Sequence, residues 1–113
     1  MVKFSEEQLN RVFKALSDPT RRQILDSVAQ NDVNASELAA PFRMSAPAIS
    51  KHLKVLEAAG LIDRTREGRI HRFKLKRDSL EAAERTIARL TGFWNQRLEN
   101  LDKYIEQKNR ENL

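Results

Sequence analysis

The stretch SELAAPFRMSAPAISKHLKVLEAAGLI, residues 36–62, decides how this chain folds. Its first part reads as a short helix over 36–42, capped by Ser36, with Leu38, Ala39 and Phe42 apolar. Arg43 and Met44 make a tight turn, and Ser45 caps a second helix that runs to Ala59 and stops at Gly60, a residue suited to the left-handed backbone that ends helices. In the second helix Ile49, Leu53 and Leu56 are spaced four and three apart and share one side. Pro47, Lys51, Lys54 and Ala58 lie on the other. This helix has one face to bury and one basic face to leave in water.

Moving toward the C-terminus, LIDRTREGRIHRFKL (61–75) reads as two extended runs around Glu67-Gly68, with glycine supplying the positive φ of a hairpin turn. His71, Phe73 and Leu75 fall on one side of the second run, and Arg72, Lys74 and Lys76 on the other. Toward the N-terminus, Ser5 caps a helix whose stripe is Leu9, Val12, Phe13 and Leu16. Asp18-Pro19 starts another, with Ile24, Leu25 and Val28 apolar, ended by Gln30-Asn31-Asp32. A brief extended piece, Val33-Asn34-Ala35, follows.

From Asp78 to about Lys108 the pattern is helical again. Leu80, Ala83, Ile87, Leu90, Trp94, Leu98, Leu101 and Ile105 recur at threes and fours. Such a helix is ~45 Å long, more than so small a domain covers, and its stripe predicts burial by a second copy of the chain. The dimerisation candidates are Leu80, Ile87, Leu90, Trp94, Leu98 and Leu101. The fold expected is mainly α with a small β-hairpin: a winged helix-turn-helix over about 36–59 and 61–76, with a long dimerisation helix at about 78–108, in one domain spanning 1–113.

The totals agree. The chain has 113 residues, 40% of them hydrophobic, and no cysteine, which excludes disulfides and thiolate metal sites. It holds no apolar run of membrane-spanning length, and MVKFSEEQLN lacks a signal core, so a cytoplasmic protein is expected. Placement of the +5 net charge is more telling than its size. Residues 1–43 carry six basic and six acidic side chains, 78–113 six and seven, but 44–77 carry nine against three. A basic field confined to one segment is the footprint of a polyanion.

FKALSDPTRRQIL (13–25), the quoted stretch and REGRIHRFKL (66–75) together resemble the ArsR, or arsenic-repressor, family of bacterial winged-helix regulators over about residues 9–76. The resemblance implies a homodimeric repressor on a palindromic double-stranded DNA operator, often in its own promoter, released by a signal. Metal-sensing members carry cysteines on the helix matching Ser36–Phe42, or Asp/His/Glu sets on the last helix. SELAAPF has no cysteine and residues 78–113 no histidine, so no metal or cofactor is expected. The signal is left open between an inducing ligand, a sequestering protein and plain autoregulation. Arg43 stands where relatives commonly have glycine, which implies a turn backbone costly for a side chain.

Ser45, Ala46, Pro47, Ser50, Lys51 and Lys54 are the DNA-reading candidates; Ala46, Pro47, Ser50 and Lys51 match the family's groove-facing positions. Ser45 serves equally as a cap, and Ala46 and Pro47 offer only apolar contact, such as to a thymine methyl. Arg66, Gly68 and Arg69 are the wing-tip candidates, for phosphates or a narrow minor groove. Arg64, Arg72, Lys74 and Lys76 read equally well as solvated, and Arg21 and Arg22 as phosphate contacts or salt-bridge partners. His52 anchors its helix or touches a phosphate; with His71 as the only other histidine, zinc's three or four ligands are lacking. The chain has no phosphate loop, nucleophile elbow or metal cluster, so no catalytic residue is assigned. The competing function is a winged-helix module that turns its basic face to an acidic protein.

Overall fold

The computed structural model describes residues 5–30 and 33–112, with Val33 and Ala35 described through their backbone alone. Asn31 and Asp32, expected to end the second helix, and the first four residues lie outside that range. The elements run α1 (Glu6–Leu16), α2 (Pro19–Gln30), β1 (Val33–Asn34), α3 (Ala35–Ala39), α4 (Ala46–Ala58), β2 (Ile62–Glu67), β3 (Ile70–Leu75) and α5 (Arg77–Glu111). None of these helices is long and apolar enough to cross a membrane.

Capping side chains set most of the boundaries. Ser5 Oγ accepts from the Gln8 amide at 3.1 Å, and Ser45 Oγ from the Ala48 amide at 3.3 Å, each satisfying a donor that the first turn leaves unpaired. The short helix differs from the expectation of 36–42 capped by Ser36. Asn34 is the cap, its Oδ1 accepting from Glu37 at 2.8 Å, and α3 ends at Ala39. Pro41 has no amide to continue the helical ladder, so the chain leaves the helix there. Arg43 escapes the strain expected of it, since no described residue other than glycine has positive φ.

The end of α4 is closed by backbone hydrogen bonds. Gly60, at φ 72°, donates to the carbonyl of Glu57 at 2.9 Å, and Leu61 donates to that of Leu56 at 3.0 Å. This is the Schellman arrangement, and Leu56 and Leu61, the positions that usually pack together in it, are both buried in the core. The chain then enters a three-stranded antiparallel sheet in the order β1-β3-β2. Residue order predicts the hairpin; the third strand shows in it only as a brief extended piece. Val33 pairs with Phe73 and Asn34 with Arg72, while Glu67 opposite Ile70 closes the hairpin. Gly68 has φ 62° and Arg69 has no positive φ, as in a type II′ turn, whose twist suits a hairpin.

The core gathers Val12 and Ala15 from α1, Ile24, Leu25 and Val28 from α2, Leu38 from α3, Ile49, Leu53 and Leu56 from α4, then Leu61, Ile62 and Phe73. From α5, Ala83 joins this core and Leu80 packs against it half-buried. The chain divides into two compact units, 1–83 and 84–113, with the boundary inside α5. Among the described residues of the second unit the large apolar side chains are all exposed, from 44% at Leu98 to 61% at Trp94.

Two of these joints can be tested directly. A Cβ at Gly60 would lie 2.8 Å from the Oγ of Ser79, in addition to the unfavourable positive φ. Gly60→Ala is expected to lower unfolding stability by more than the roughly 1–2 kcal/mol of the left-handed backbone alone. Urea denaturation should show a Ser79→Ala background restoring only the steric part. The second joint is Asp18, whose carboxyl is held below the ordinary carboxylate range, chiefly by the Arg21 amide, which donates to Oδ2 at 3.0 Å, with the charges of Arg21 and His52 adding to the effect against partial desolvation. A lowered folded pKa adds stability that is complete above the unfolded value of about 3.9 and is lost as pH falls through the folded value. The stability gap between wild type and Asp18→Asn should therefore be constant from neutrality to about pH 5 and close below about pH 4; a gap unchanged by acid would show that the charge plays no part.

Candidate nucleic-acid interface

The surface is built on α4. Ile49, Leu53 and Leu56 are buried, and each such side chain contributes about 1.5–3 kcal/mol on leaving water. Helical geometry then turns the intervening positions outward: Ala46, Pro47, Lys51 and Lys54 are exposed and Ser50 is half-buried. Ser45 is exposed at the N-terminal end, where it acts as the cap.

Behind α4, its exposed face is braced through His52. The Nδ1 of His52 lies 3.4 Å from Arg21 Nη1 and 3.9 Å from Asp18 Oδ2. Arg21 also donates from Nε to the Ala15 carbonyl at 2.7 Å and from Nη2 to that of Lys14 at 3.0 Å. Arg22 donates to the Leu16 carbonyl at 2.6 Å. The two arginines therefore donate to carbonyls of the last turn of α1, and Arg21 also ties α1 and α2 to α4, so that of the two roles open to Arg21 and Arg22 the structure favours internal pairing. The signal for this lies in the sequence: a helix ending just before a tight turn leaves carbonyls in reach of the next basic side chains.

The wing brings a selection among cations that composition does not show. Glu57 accepts from Arg64 Nε at 3.1 Å, and the Arg64 guanidinium also lies 5.0 Å from the Phe73 ring centre. Glu67 is 3.4 Å from Arg72, and Asp63 is 3.7 Å from Lys76. All three acidic side chains of 44–77 are thereby matched to basic ones, and Arg77 faces Glu81 at 3.9 Å. Lys51, Lys54, Arg66, Arg69 and Lys74 are left exposed, with no acidic side chain at ion-pair distance among the described residues. Four of these five are the cations singled out in the sequence; Lys74 is the addition. Arg66 Nε donates to the carbonyl of Gly68 at 3.0 Å, so this arginine also stiffens the tip it occupies.

What the arrangement offers a duplex is a narrow helix with small side chains at its leading end, lysines one and two turns on, and a basic two-residue tip beside it. A helix of this width enters the major groove, and unpaired cations replace condensed counterions on phosphates. His71, placed on the Phe73 side as expected, lines a cleft between α3, α4 and the wing. Within the described residues no group of three or more His, Asp or Glu side chains could hold a metal ion.

Known proteins share this pattern. A family described as bacterial regulatory protein, arsR family, matches residues 18–64. The transcriptional repressor SdpR of Bacillus subtilis is 42% identical over 73 residues, which is 65% of this chain and 81% of that one. An HTH-type transcriptional regulator of Mycobacterium tuberculosis is 32% identical over 99 residues, covering 88% of this chain and 90% of its own. Among solved structures, an ArsR-like transcriptional regulator from a Rhodococcus species is similar with a TM-score of 0.74 at 37% identity, over 86% of this chain and 92% of that one. With the reading helix, the wing and the charge between them in place, the chain belongs to the ArsR family of bacterial regulatory proteins, DNA-binding regulators of transcription with a winged helix-turn-helix.

Proposed function

We propose that this protein is a cytoplasmic homodimeric repressor that binds a palindromic operator, inserting α4 of each subunit in a major groove and anchoring with each wing. The observation that carries the reading is the exposure of Pro47, Lys51 and Lys54 on the side of α4 opposite its buried face, together with Arg69 exposed in the turn of the wing, the three cations having no acidic side chain at ion-pair distance among the described residues. Repression is supported by SdpR, itself named a transcriptional repressor. Ala46, Pro47, Ser50 and Lys51 read bases, Ser45 sets the start of the helix, and Lys54, Arg66, Gly68 and Arg69 engage the backbone or minor groove. Few of these side chains make bidentate base contacts, so phosphates supply much of the affinity.

Dimerisation is supported by α5. Ile87, Leu90, Trp94, Leu98, Leu101 and Ile105 follow one another at an average of one helical turn, and all are about half-exposed. A stripe of that length is a surface awaiting a partner helix. Leu80, counted with it in the sequence, is engaged by the chain's own core, so the shared stripe starts at Ile87. The regulator is also unresponsive to metals on this proposal, given the absence of cysteine and two histidines in different settings. A further inducer or a sequestering protein then supplies the signal.

Footprinting on DNA upstream of the protein's own gene should show two inverted protected half-sites about one helical turn apart or a multiple of it, unaltered by stoichiometric zinc or arsenite. Lys51→Ala should weaken binding and relax preference within each half-site. Arg69→Ala should weaken all sequences evenly and flatten the salt dependence by roughly one unit of slope for each phosphate it no longer neutralises. If both variants bind like wild type across a salt series, α4 and the wing are not the DNA face. Capture of an acidic protein with no duplex shift would favour the interaction module instead.

Trp94→Ala and Leu98→Glu should each turn dimer into monomer in sedimentation, a loss of about 2–5 kcal/mol for each large apolar side chain withdrawn from the interface, and DNA affinity should fall although 44–77 is untouched. A variant that stays dimeric would place the interface elsewhere.

A further inference from the structure

A cleft of about 210 Å³ opens between α3, α4 and the wing. Ile49, Leu53 and Phe73 in its lining are buried, whereas Ser36 and Arg64 are exposed and Ser50 is half-buried. The cleft is therefore apolar within and polar toward its mouth. Arg64 is held at that mouth. Its guanidinium lies 5.0 Å from the centre of the Phe73 ring, and Nε and Nη2 both donate to Oε1 of Glu57. Nη1 has no hydrogen-bond partner among the described residues, and the hydroxyls of Ser36 and Ser50 complete the polar set. His71 also lines the cleft, but its Nδ1 has essentially no accessible surface and offers a ligand no contact.

We propose that this cleft binds a small organic acid, one carboxylate on a single-ring body. The carboxylate meets Arg64 Nη1 and the hydroxyls of Ser36 and Ser50, and the ring lies against Ile49, Leu53 and Phe73. Charge sets the headgroup. Arg64 is the one permanently charged side chain among the described residues of the lining, and it repels a cation. A guanidinium nitrogen with an unpaired N–H suits a carboxylate oxygen, and hydroxyls add donors beside it. Glu57 leaves that nitrogen vacant, and the surrounding segment 44–77, with nine basic side chains against three acidic, keeps the field positive. The walls and the volume set the body. A cavity of roughly 150 Å³ takes one benzene ring, so this cleft holds a ring together with its carboxylate. A bare anion would leave the apolar walls uncovered and forgo the gain from removing them from water. Ala46 and Ser50, at the leading end of α4, form part of the same lining. A bound acid therefore competes with DNA for that end of the helix, and the cleft becomes an inducer site. This last consequence rests on the DNA-binding reading; the binding itself does not.

The test titrates the full, isotope-labelled chain, free of DNA and at fixed ionic strength, with benzoate, benzamide and inorganic phosphate, following amide and side-chain resonances by NMR. Benzoate is expected to saturate with shifts centred on Ser36, Ile49, Ser50, Leu53, Arg64 and Phe73. It should bind about tenfold to a hundredfold more tightly than benzamide, the difference that hydrogen bonds to a charged group make. Phosphate should bind more weakly than benzoate. Arg64→Gln should bring benzoate down to benzamide. Scattered or non-saturating shifts would overturn the site, and equal wild-type affinities for benzoate and benzamide would overturn the anionic class. Phosphate binding as tightly as benzoate would overturn the apolar body and make the mouth a seat for backbone phosphate instead. These readouts on wild type need no variant to fold; in a folded Arg64→Gln, unchanged benzoate affinity would overturn the role of Arg64. In a mobility shift, saturating benzoate should release wild type from duplex and benzamide at the same concentration should not; retention under benzoate would overturn the coupling. A protein that bound benzoate in the cleft but never shifted duplex would refute the DNA reading alone.

Discussion

The burial of Ile49, Leu53 and Leu56 in one side of α4 is the constraint on which the rest of the structure depends. Those three side chains fix the rotation of the helix about its axis, because no other rotation covers them. Once that rotation is set, Pro47, Lys51 and Lys54 have only solvent or a partner to face. The ends of α4 are held as firmly as its rotation. Ser45 caps the start, and the Schellman closure at Gly60 sends the chain directly into β2 with Leu61 and Ile62 buried. The position of the wing relative to the reading helix is thus set by one turn of backbone and two buried side chains.

A second layer of control is electrostatic. The basic segment carries three carboxylates, and the fold places none of them on the exposed face of α4. Each is matched to an arginine or lysine around the wing, and surface pairs of this type contribute little to stability, typically below about 1 kcal/mol. Their larger effect is to sort cations. Arg64, Arg72 and Lys76 are held within the domain, while Lys51, Lys54, Arg66, Arg69 and Lys74 keep their charge available to a polyanion. Arg21 shows the same division of labour at the back of the domain, where its guanidinium bridges the end of α1 to His52 on the reading helix.

Much of this is legible in residue order. The caps Ser5 and Ser45, the stop at Gly60, the hairpin around Gly68 and the long stripe of α5 rest on local chemistry, which acts over three or four residues and is visible in the sequence. The start of the short helix is not, for an instructive reason. Asn34 and Ser36 are both good caps, and Asn34 prevails because its backbone also belongs to β1, paired with Arg72 some forty residues away. In sequence the stripe of α5 runs on continuously from Leu80, whereas in the fold its first turns are engaged by the core of residues 1–83.

The sequence by itself determined that α4 is amphipathic, which face it shows and where the positive charge lies, since helical and strand periodicity assign each side chain to a face without knowledge of any distant contact. Tertiary structure alone decided which cations stay free, which arginines become internal braces, and that His71, Phe73, Ile49 and Leu53 surround one cleft. Pairing and cavities depend on distances between elements far apart in the chain, and those distances come into being only when the core closes.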